Sequence, residues 1–248
     1  MEHKVKELVN RIIVDHHLKE HVLNNVNSTS THNRFMIAVF GTPGSSKTTT
    51  SEIMKNCFIN NHSIPTQIVP MDGFHYYRKE LDAMENPQYA HSRRGAPFTF
   101  NDKAFEELLK KVKYHSTEIV KAPSFDHHVG DPIEDDIVVD VSHRVIIVEG
   151  NYLATWNNIR PLFDVFIYIY TASKEEAMER VVRRHMSTGN TEELARQRVE
   201  FNDGPNADQI ISDFNKIQYD HELNHTSITC PPKLYTLLSE HEDQFAIK

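Results

Sequence analysis

The sequence predicts an α/β fold in which a mostly parallel sheet carries helices on both faces. The first observation is a set of short, continuous apolar runs at residues 35–40, 144–149 and 165–170. Such runs are typical of strands that are buried on both faces of a parallel sheet. The second observation is that segments with apolar residues at helical spacing lie between the runs. Alternating strands and helices favour parallel pairing, because each helix carries the chain back across the sheet.

The elements follow one another in a regular order along the chain. In segment 1–76 we predict a helix over residues 2–25, a polar linker over 25–33, a strand over 35–40, a helix over 47–60 and a strand over 67–70. Residues 76–100 lack periodicity and are predicted to be a functional excursion from the fold. Farther on we predict a helix from Asn101 or Asp102, strands over 144–149 and 165–170, helices from Ser173 and Thr191, a turn over 202–206 and a helix over 206–214. The tail after Asn215 has no pattern that places it.

Composition limits the class of protein. Of the 248 residues, 39% are apolar and 25% are charged, which suits a packed globular domain. The formal net charge of -8 argues against a nucleic-acid partner. No apolar run approaches the roughly 20 residues of a membrane span, and the first residues lack the apolar core of a signal peptide. We therefore expect a cytoplasmic protein with neither a nucleic-acid nor a membrane partner.

The strongest local motif follows the strand at 35–40 and opens the next helix. A glycine-rich loop in that place directs backbone N–H groups at phosphate oxygens, and the helix N-terminus adds positive potential. Lys47 is expected to reach the β- and γ-phosphates of ATP, and the Thr48 hydroxyl to hold Mg²⁺. The alternative is a tight turn that binds no ligand. The residues assigned to the nucleotide are Gly41, Thr42, Pro43, Gly44, Ser45, Ser46, Lys47, Thr48 and Thr49.

Ser46 occupies a position where the pattern GxxxxGK[ST] has glycine. If the backbone there needs a positive φ, serine costs on the order of 1–2 kcal/mol. Ser46 is therefore expected to weaken nucleotide binding without abolishing it.

Two acidic residues lie at predicted strand ends. Asp72 follows the strand at 67–70, and Glu149 ends the strand at 144–149. The carboxyl ends of parallel strands form the ligand-binding edge of α/β sheets. Asp72 is the candidate acceptor for the proton of an attacking hydroxyl, and Glu149 is the candidate carboxylate for Mg²⁺. The alternatives are an ordinary Asp-Gly turn and a solvated strand-end glutamate.

Arginines cluster in the segment after Ser173. They can neutralise transferring phosphates, or they can form a solvated helix face that pairs with nearby glutamates. The members are Arg180, Arg183, Arg184, Arg196 and Arg198. Two further polar segments, Arg93–Pro97 and Pro123–His128, are candidates for contact with an acceptor. A dedicated transition-metal site is not expected, since adjacent histidines such as His127 and His128 point apart and no HExxH motif occurs.

In combination these motifs resemble the uridine kinase, phosphoribulokinase and pantothenate kinase group. The motifs are GTPGSSKT, MDGFH, RRGAPFTF, PSFDH, VIIVEGNYL and the arginine-rich segment, and they occur in the order of that group. The resemblance runs from about residue 35 to residue 211 and implies a P-loop kinase fold with a helical lid near 173–200, ATP and Mg²⁺. We predict a single domain over residues 1–248. It implies Lys47, Asp72 and Glu149 as catalytic residues, and Arg180 and Arg184 where the lid meets phosphate. The residues implied at the acceptor are Asp72, His75, Arg94, His127 and Tyr152.

The sequence therefore predicts transfer of the ATP γ-phosphoryl group to a hydroxyl of a small metabolite, in the manner of a uridine kinase. The acceptor stays open between a nucleoside, a pantothenate-like acid and a sugar phosphate, and a homo-oligomer is compatible with the sequence. Two alternatives are a nucleotide-binding regulator that has lost catalysis, which only Ser46 supports, and a kinase of nucleic-acid ends, which the net charge disfavours.

Overall fold

A computed structural model describes residues 1–20, 33–126, 129–223 and 233–239 of the chain. Its centre is a five-stranded sheet in which all neighbouring strands are parallel. The strands along the chain are β1 (Phe35–Gly41), β2 (Thr66–Pro70), β3 (Val120–Asp126), β4 (Asp131–Val139), β5 (Val145–Gly150), β6 (Val165–Tyr170) and β7 (Lys233–Leu238). The central sheet has the order β2-β5-β1-β6-β7, and β3 and β4 form a separate antiparallel hairpin. The predicted fold class is confirmed.

Helices cover both faces of this sheet. They are α1 (Glu2–Asp15), α2 (Lys47–His62), α3 (Arg78–Asp82), α4 (Pro87–Ser92), α5 (Asp102–Tyr114), α6 (Lys174–Ser187), α7 (Glu192–Arg198) and α8 (Gly204–Leu223). Alternate residues of each central strand point to opposite faces, so they build two apolar cores. One core joins α1 and α2 to one face, and the other joins α5 and α8 to the opposite face. Among the described helices, none has the length and apolar character that crossing a membrane requires.

Two predicted element boundaries are wrong. The N-terminal helix ends at Asp15 and not at residue 25, because His17 adopts a positive φ of 48° that no right-handed helix allows. Helical backbone resumes at 18–20, and the predicted linker lies mostly in 21–32, outside the described residues.

The predicted turn over 202–206 does not exist. A π-helical segment, Val199–Asp203, leads directly into α8. Pro205 is the second residue of α8, which follows the π-helical segment directly, and the Gly204 N–H donates to the Val199 carbonyl. The two asparagines that suggested a turn instead bind distant groups. Asn202 Nδ2 donates to the Arg94 carbonyl at 2.8 Å, and Asn206 Oδ1 accepts from Arg93 at 2.9 Å.

The hairpin β3–β4 packs beside the short 3₁₀ turn Met71–Phe74 that follows β2. This contact is possible because residue 73 is glycine: a Cβ at Gly73 would overlap the carbonyl oxygen of Pro123. The excursion over residues 76–100 holds α3, α4 and a 3₁₀ turn at Pro97–Thr99. Asp72, the excursion and the hairpin therefore form one wall beside the carboxyl edge of the sheet.

Candidate active site

The loop from Gly41 to Thr48 joins β1 to α2 and is closely packed by its neighbours. A Cβ at Gly41 would overlap the carbonyl oxygen of Ile169 on β6. Gly44 has a φ of 81°, and a Cβ there would overlap the carbonyl oxygen of Ala177 on α6. Both glycines are needed for close backbone approach, and Gly44 is needed for its conformation as well.

Ser46 adopts the left-handed conformation, with φ 66° and ψ 33°. Its position therefore needs the positive φ that glycine would supply without strain, as the sequence suggested. The strain lies at the first residue before α2, directly beside Lys47 and Thr48.

Replacing Ser46 with glycine is expected to raise the free energy of unfolding by about 0.5–1 kcal/mol. Relief of left-handed strain contributes about 1–2 kcal/mol, and the greater freedom of glycine in the unfolded chain offsets about 0.4–1 kcal/mol of it. Denaturant unfolding measures the change. Ser63→Gly is the matched control for relief of left-handed strain outside the loop, because Ser63 also has a positive φ, of 56°, at the other end of α2. A Ser46→Gly variant less stable than the wild type would contradict this account of the loop.

Four groups meet where β1, β5 and β2 end. The register places Glu149 beside Val39 of β1 and beside Pro70 of β2. The Thr48 hydroxyl donates to both carboxylate oxygens of Glu149, at 3.1 and 3.3 Å. Lys47 Nζ donates to the Thr42 carbonyl at 3.0 Å. Asp72, half-buried, follows β2 by two residues.

The charges of these groups act on one another. Burial lowers the pKa of Lys47 to about 8, although the carboxylates of Glu149 and Asp72 raise it. Burial and the charge of Asp72 together raise the pKa of Glu149 to about 7, although Lys47 and the hydrogen bond from Thr48 lower it. Two carboxylates close to one desolvated lysine leave negative charge that a further cation could neutralise. The hydroxyl of Thr48 and the carboxylate of Glu149 are hard oxygen ligands, so they suit Mg²⁺ whose other ligands are water and phosphate oxygens.

The predicted lid arginines have different surroundings. Arg180 reaches the loop itself, since its Nη1 lies 3.4 Å from both the Gly44 carbonyl and Ser46 Oγ. Arg184 is exposed, yet close enough for its charge to lower the pKa of Lys47. Arg196 binds Glu179 and Glu192 on the outer surface, which fits the solvated-face alternative for that residue.

The residues expected at the acceptor lie along the wall formed by the excursion and the hairpin. His75 Nδ1 lies 2.8 Å from the Asp72 carbonyl, and its ring packs against those of Phe100 and Phe125. The Tyr152 hydroxyl donates to the Gly95 carbonyl at 2.7 Å, and burial raises its pKa. His127 lies outside the described residues.

Arg94 is bound by the hairpin. Its Nη2 donates to the Tyr76 carbonyl at 2.8 Å and to Asp131 at 3.0 Å, and its Nη1 donates to the Gly130 carbonyl. Arg94 and Tyr152 thus order the acceptor wall through backbone carbonyls. Sequence reasoning missed Asp131 and also Ser239, which binds Arg180. Neither lies in a motif, and both are far in sequence from their partners.

Known proteins resemble this chain in sequence and in fold. The model of the phosphoribulokinase / uridine kinase family matches residues 36–218. A Schizosaccharomyces pombe protein named Putative uridine kinase C227.14 is 39% identical over 177 residues, covering 68% of this chain and 75% of that protein. The crystal structure of a putative fructose transport system kinase from Silicibacter sp. TM1040 is 29% identical, with a TM-score of 0.66 over 77% of this chain and 91% of that one.

A further solved structure shares the fold at lower identity. YFH7 from Saccharomyces cerevisiae, described as a putative P-loop containing kinase with a circular permutation, is 20% identical with a TM-score of 0.70. The superposition covers 97% of this chain and 100% of that one.

Proposed function

Because this chain belongs to the phosphoribulokinase / uridine kinase family, we propose that it transfers the γ-phosphoryl group of ATP to a hydroxyl of a small metabolite, with Mg²⁺ as cofactor. Members of this family are ATP-dependent P-loop kinases, and we infer the acceptor class and the residue roles from the site. One observation supports these roles most strongly. Lys47, the Thr48–Glu149 pair and Asp72 converge at the ends of three adjacent strands, beside a wall suited to an acceptor.

Each group has a role that its position supports. Lys47 and the loop N–H groups bind the β- and γ-phosphates and neutralise charge as it moves to the leaving oxygen. Thr48 and Glu149 would hold Mg²⁺, which would supply positive charge beside the same phosphates. Asp72 accepts the proton of the acceptor hydroxyl as the new oxygen–phosphorus bond forms and the bond to the β-phosphate oxygen breaks. ADP leaves, and the proton stays on Asp72 until solvent removes it.

Residues 173–200 would close over the reactants. This segment comprises α6 and α7, and α6 touches the phosphate loop at Gly44. Closure would bring Arg184 toward the γ-phosphate and exclude water, which limits hydrolysis of ATP.

Three arginines, Arg78, Arg94 and Arg198, lie close together at the acceptor wall. Arg78 lies against Gly130, whose carbonyl accepts from Arg94, and Arg198 lies one helical turn before Asn202, which binds the Arg94 carbonyl. Both are exposed, and among the described residues neither guanidinium forms a hydrogen bond or ion pair. Their charges lower the pKa of Arg94, though burial lowers it more. The Asp131 carboxylate raises the pKa of Arg94 and balances one of these three guanidinium charges. We therefore favour an acceptor whose carboxylate or phosphate contacts Arg78 and Arg198 over a neutral nucleoside.

Arg78→Ala is expected to raise the KM for an anionic acceptor about tenfold, because one charge-assisted contact contributes about 1.5–3 kcal/mol. The KM for ATP should stay unchanged. Arg196→Ala is the matched control, since Arg196 is bound to glutamates on the outer surface. Ribose with ribose 5-phosphate, and pantothenol with pantothenate, form matched neutral and anionic pairs. Preference for the neutral member of each pair would contradict this assignment.

The experiment that tests the proposed function is release of ADP from Mg-ATP in the presence of a panel of nucleosides, sugar phosphates and hydroxy acids. Mass spectrometry identifies the phosphorylated product. ADP release that requires an acceptor and yields a phosphate ester supports the kinase; equal release with and without every acceptor counts against it.

The strained Ser46 favours a second candidate, a nucleotide-binding regulator without catalysis. It would bind ATP and phosphorylate no acceptor of the panel, and Ser46→Gly would restore turnover, because the strained loop is then the cause of the loss.

A further inference from the structure

The last described residue of the chain lies beside the phosphate loop. Strand β7 adds to the edge of the sheet by parallel pairing with β6. The ladder continues one residue farther, where the Ser239 N–H donates to the Tyr170 carbonyl at 2.7 Å. Ser239 is 1% exposed. A residue from the C-terminal region is therefore fixed at the carboxyl edge of the sheet, on the side where the nucleotide is expected.

Ser239 binds the guanidinium of Arg180 twice. Arg180 Nη1 donates to Ser239 Oγ at 2.9 Å, and Nη2 donates to the Ser239 carbonyl at 3.2 Å. Nη2 also donates to Glu176, one turn earlier on α6, at 2.6 Å. The remaining neighbours of Nη1 are the Gly44 carbonyl and Ser46 Oγ. Three segments of the chain thus hold one guanidinium: α6, the phosphate loop and the end of β7.

These contacts determine where Arg180 points. A free arginine side chain loses up to about 2 kcal/mol of conformational entropy when it is ordered. Here the side chain is ordered before any ligand binds, so binding does not have to supply the free energy for this loss of entropy. Glu176 alone cannot fix the direction, because it moves with α6. Ser239 extends strand β7 of the sheet, and the phosphate loop follows strand β1 of the same sheet. Its contacts therefore fix the position of the Arg180 guanidinium relative to the phosphate loop.

We propose that Ser239 is a positioning residue for the nucleotide, which holds Arg180 beside the phosphate loop so that ATP meets an ordered guanidinium. The inference rests on the proposed role of this loop in binding ATP. It makes the C-terminal strand part of the nucleotide site, although no phosphate-binding motif lies there. A purely structural contact would stabilise β7 without changing nucleotide affinity.

The test is a double-mutant cycle in the full-length chain, read as the Kd of Mg-ATP by calorimetry. Ser239→Ala is expected to raise the Kd about fivefold, since Arg180 loses contacts that order its side chain before ATP binds. Ser239→Thr, which keeps the hydroxyl, should restore most of the affinity. Thr236→Ala is the matched control, because Thr236 is an exposed hydroxyl residue of the same strand. It should bind ATP like the wild type.

In the Arg180→Ala background, Ser239→Ala should have no further effect, since Ser239 acts through Arg180. A wild-type Kd in Ser239→Ala would overturn the proposal, and so would a fivefold loss that persists without Arg180. Because binding is measured and not turnover, a protein that binds ATP but phosphorylates nothing would refute the proposed kinase function while the cycle still decides the role of Ser239.

Discussion

Replacing Asp72 with asparagine is expected to lower kcat for phosphoryl transfer by about 10²–10⁴-fold, the usual contribution of a positioned general base. Asparagine keeps the shape of the side chain but cannot accept the proton of the acceptor hydroxyl. The 3₁₀ turn at Met71–Phe74 fixes the residue at the end of β2, so the backbone should not change. The Kd of Mg-ATP should stay near the wild-type value or fall, because one negative charge near the phosphates is removed. Steady-state kinetics with the best acceptor and calorimetry with ATP measure the two quantities.

Asp82→Asn is the control for that experiment. Asp82 is an exposed aspartate that pairs with His91 at 2.8 Å, away from the phosphate loop. Its replacement should leave kcat unchanged. Full activity in Asp72→Asn would remove Asp72 from the mechanism, and another group would then have to accept the proton.

Replacing Lys47 with alanine is expected to lower kcat/KM by about 10²–10³-fold, the magnitude seen when one stabilising donor is removed from a transition state. Lys47 lies in the loop and close to both carboxylates, since Glu149 and Asp72 each raise its pKa against the effect of burial. Without it, the charge that develops between the β- and γ-phosphates loses its main protein partner. Both KM for ATP and kcat should change, since the ammonium contacts the nucleotide before and during transfer.

Lys55→Ala is the matched control, because Lys55 lies two turns later on the same helix and binds Gln67 at 2.9 Å. Thermal unfolding of both variants shows whether a loss of activity is a loss of folding. A Lys47→Ala variant that is folded and as active as Lys55→Ala would contradict the assignment of this loop to ATP.

Elements with a strong local signal could be predicted from the sequence. The strands β1, β5 and β6 are buried apolar runs, and the helices α5, α6 and α7 begin at capping residues that accept from backbone N–H groups as expected. The hairpin was missed because β4 exposes most of its residues, including Glu134 and Asp135, so no apolar pattern marks it. Strand β7 was missed because it is a strand only by its pairing with β6, which lies far away in the sequence.

Buried polar residues show the same limit. Arg34 is 1% exposed, although arginine is ordinarily a surface residue. Its guanidinium donates to carbonyls of two separate segments, among them those of Val112 and Ser116 in one and Asp140 in the other. These carbonyl acceptors come close to Arg34 only in the folded chain, so no local sequence pattern predicts the contacts.

In the candidate site, the phosphate loop and the two strand-end acids could be predicted because each is a motif with its own structural context. The environments of Arg94 and Arg180 could not. Their partners Asp131 and Ser239 lie 37 and 59 residues away and carry no motif. The sequence therefore does not predict which residues fix these arginines, of which Arg94 lies at the proposed acceptor wall and Arg180 lies beside the phosphate loop.

The measurement that tests the central claim most directly follows the γ-phosphoryl group itself. ATP labelled with ¹⁸O in the γ-phosphoryl group is incubated with the wild-type protein, Mg²⁺ and the acceptor that gives the most ADP. The account predicts that the acceptor gains the mass of a phosphoryl group carrying the label, and that Asp72→Asn slows the gain by about 10²–10⁴-fold. Label recovered only in inorganic phosphate would show that water and not a metabolite hydroxyl is the acceptor, which would contradict the proposed kinase.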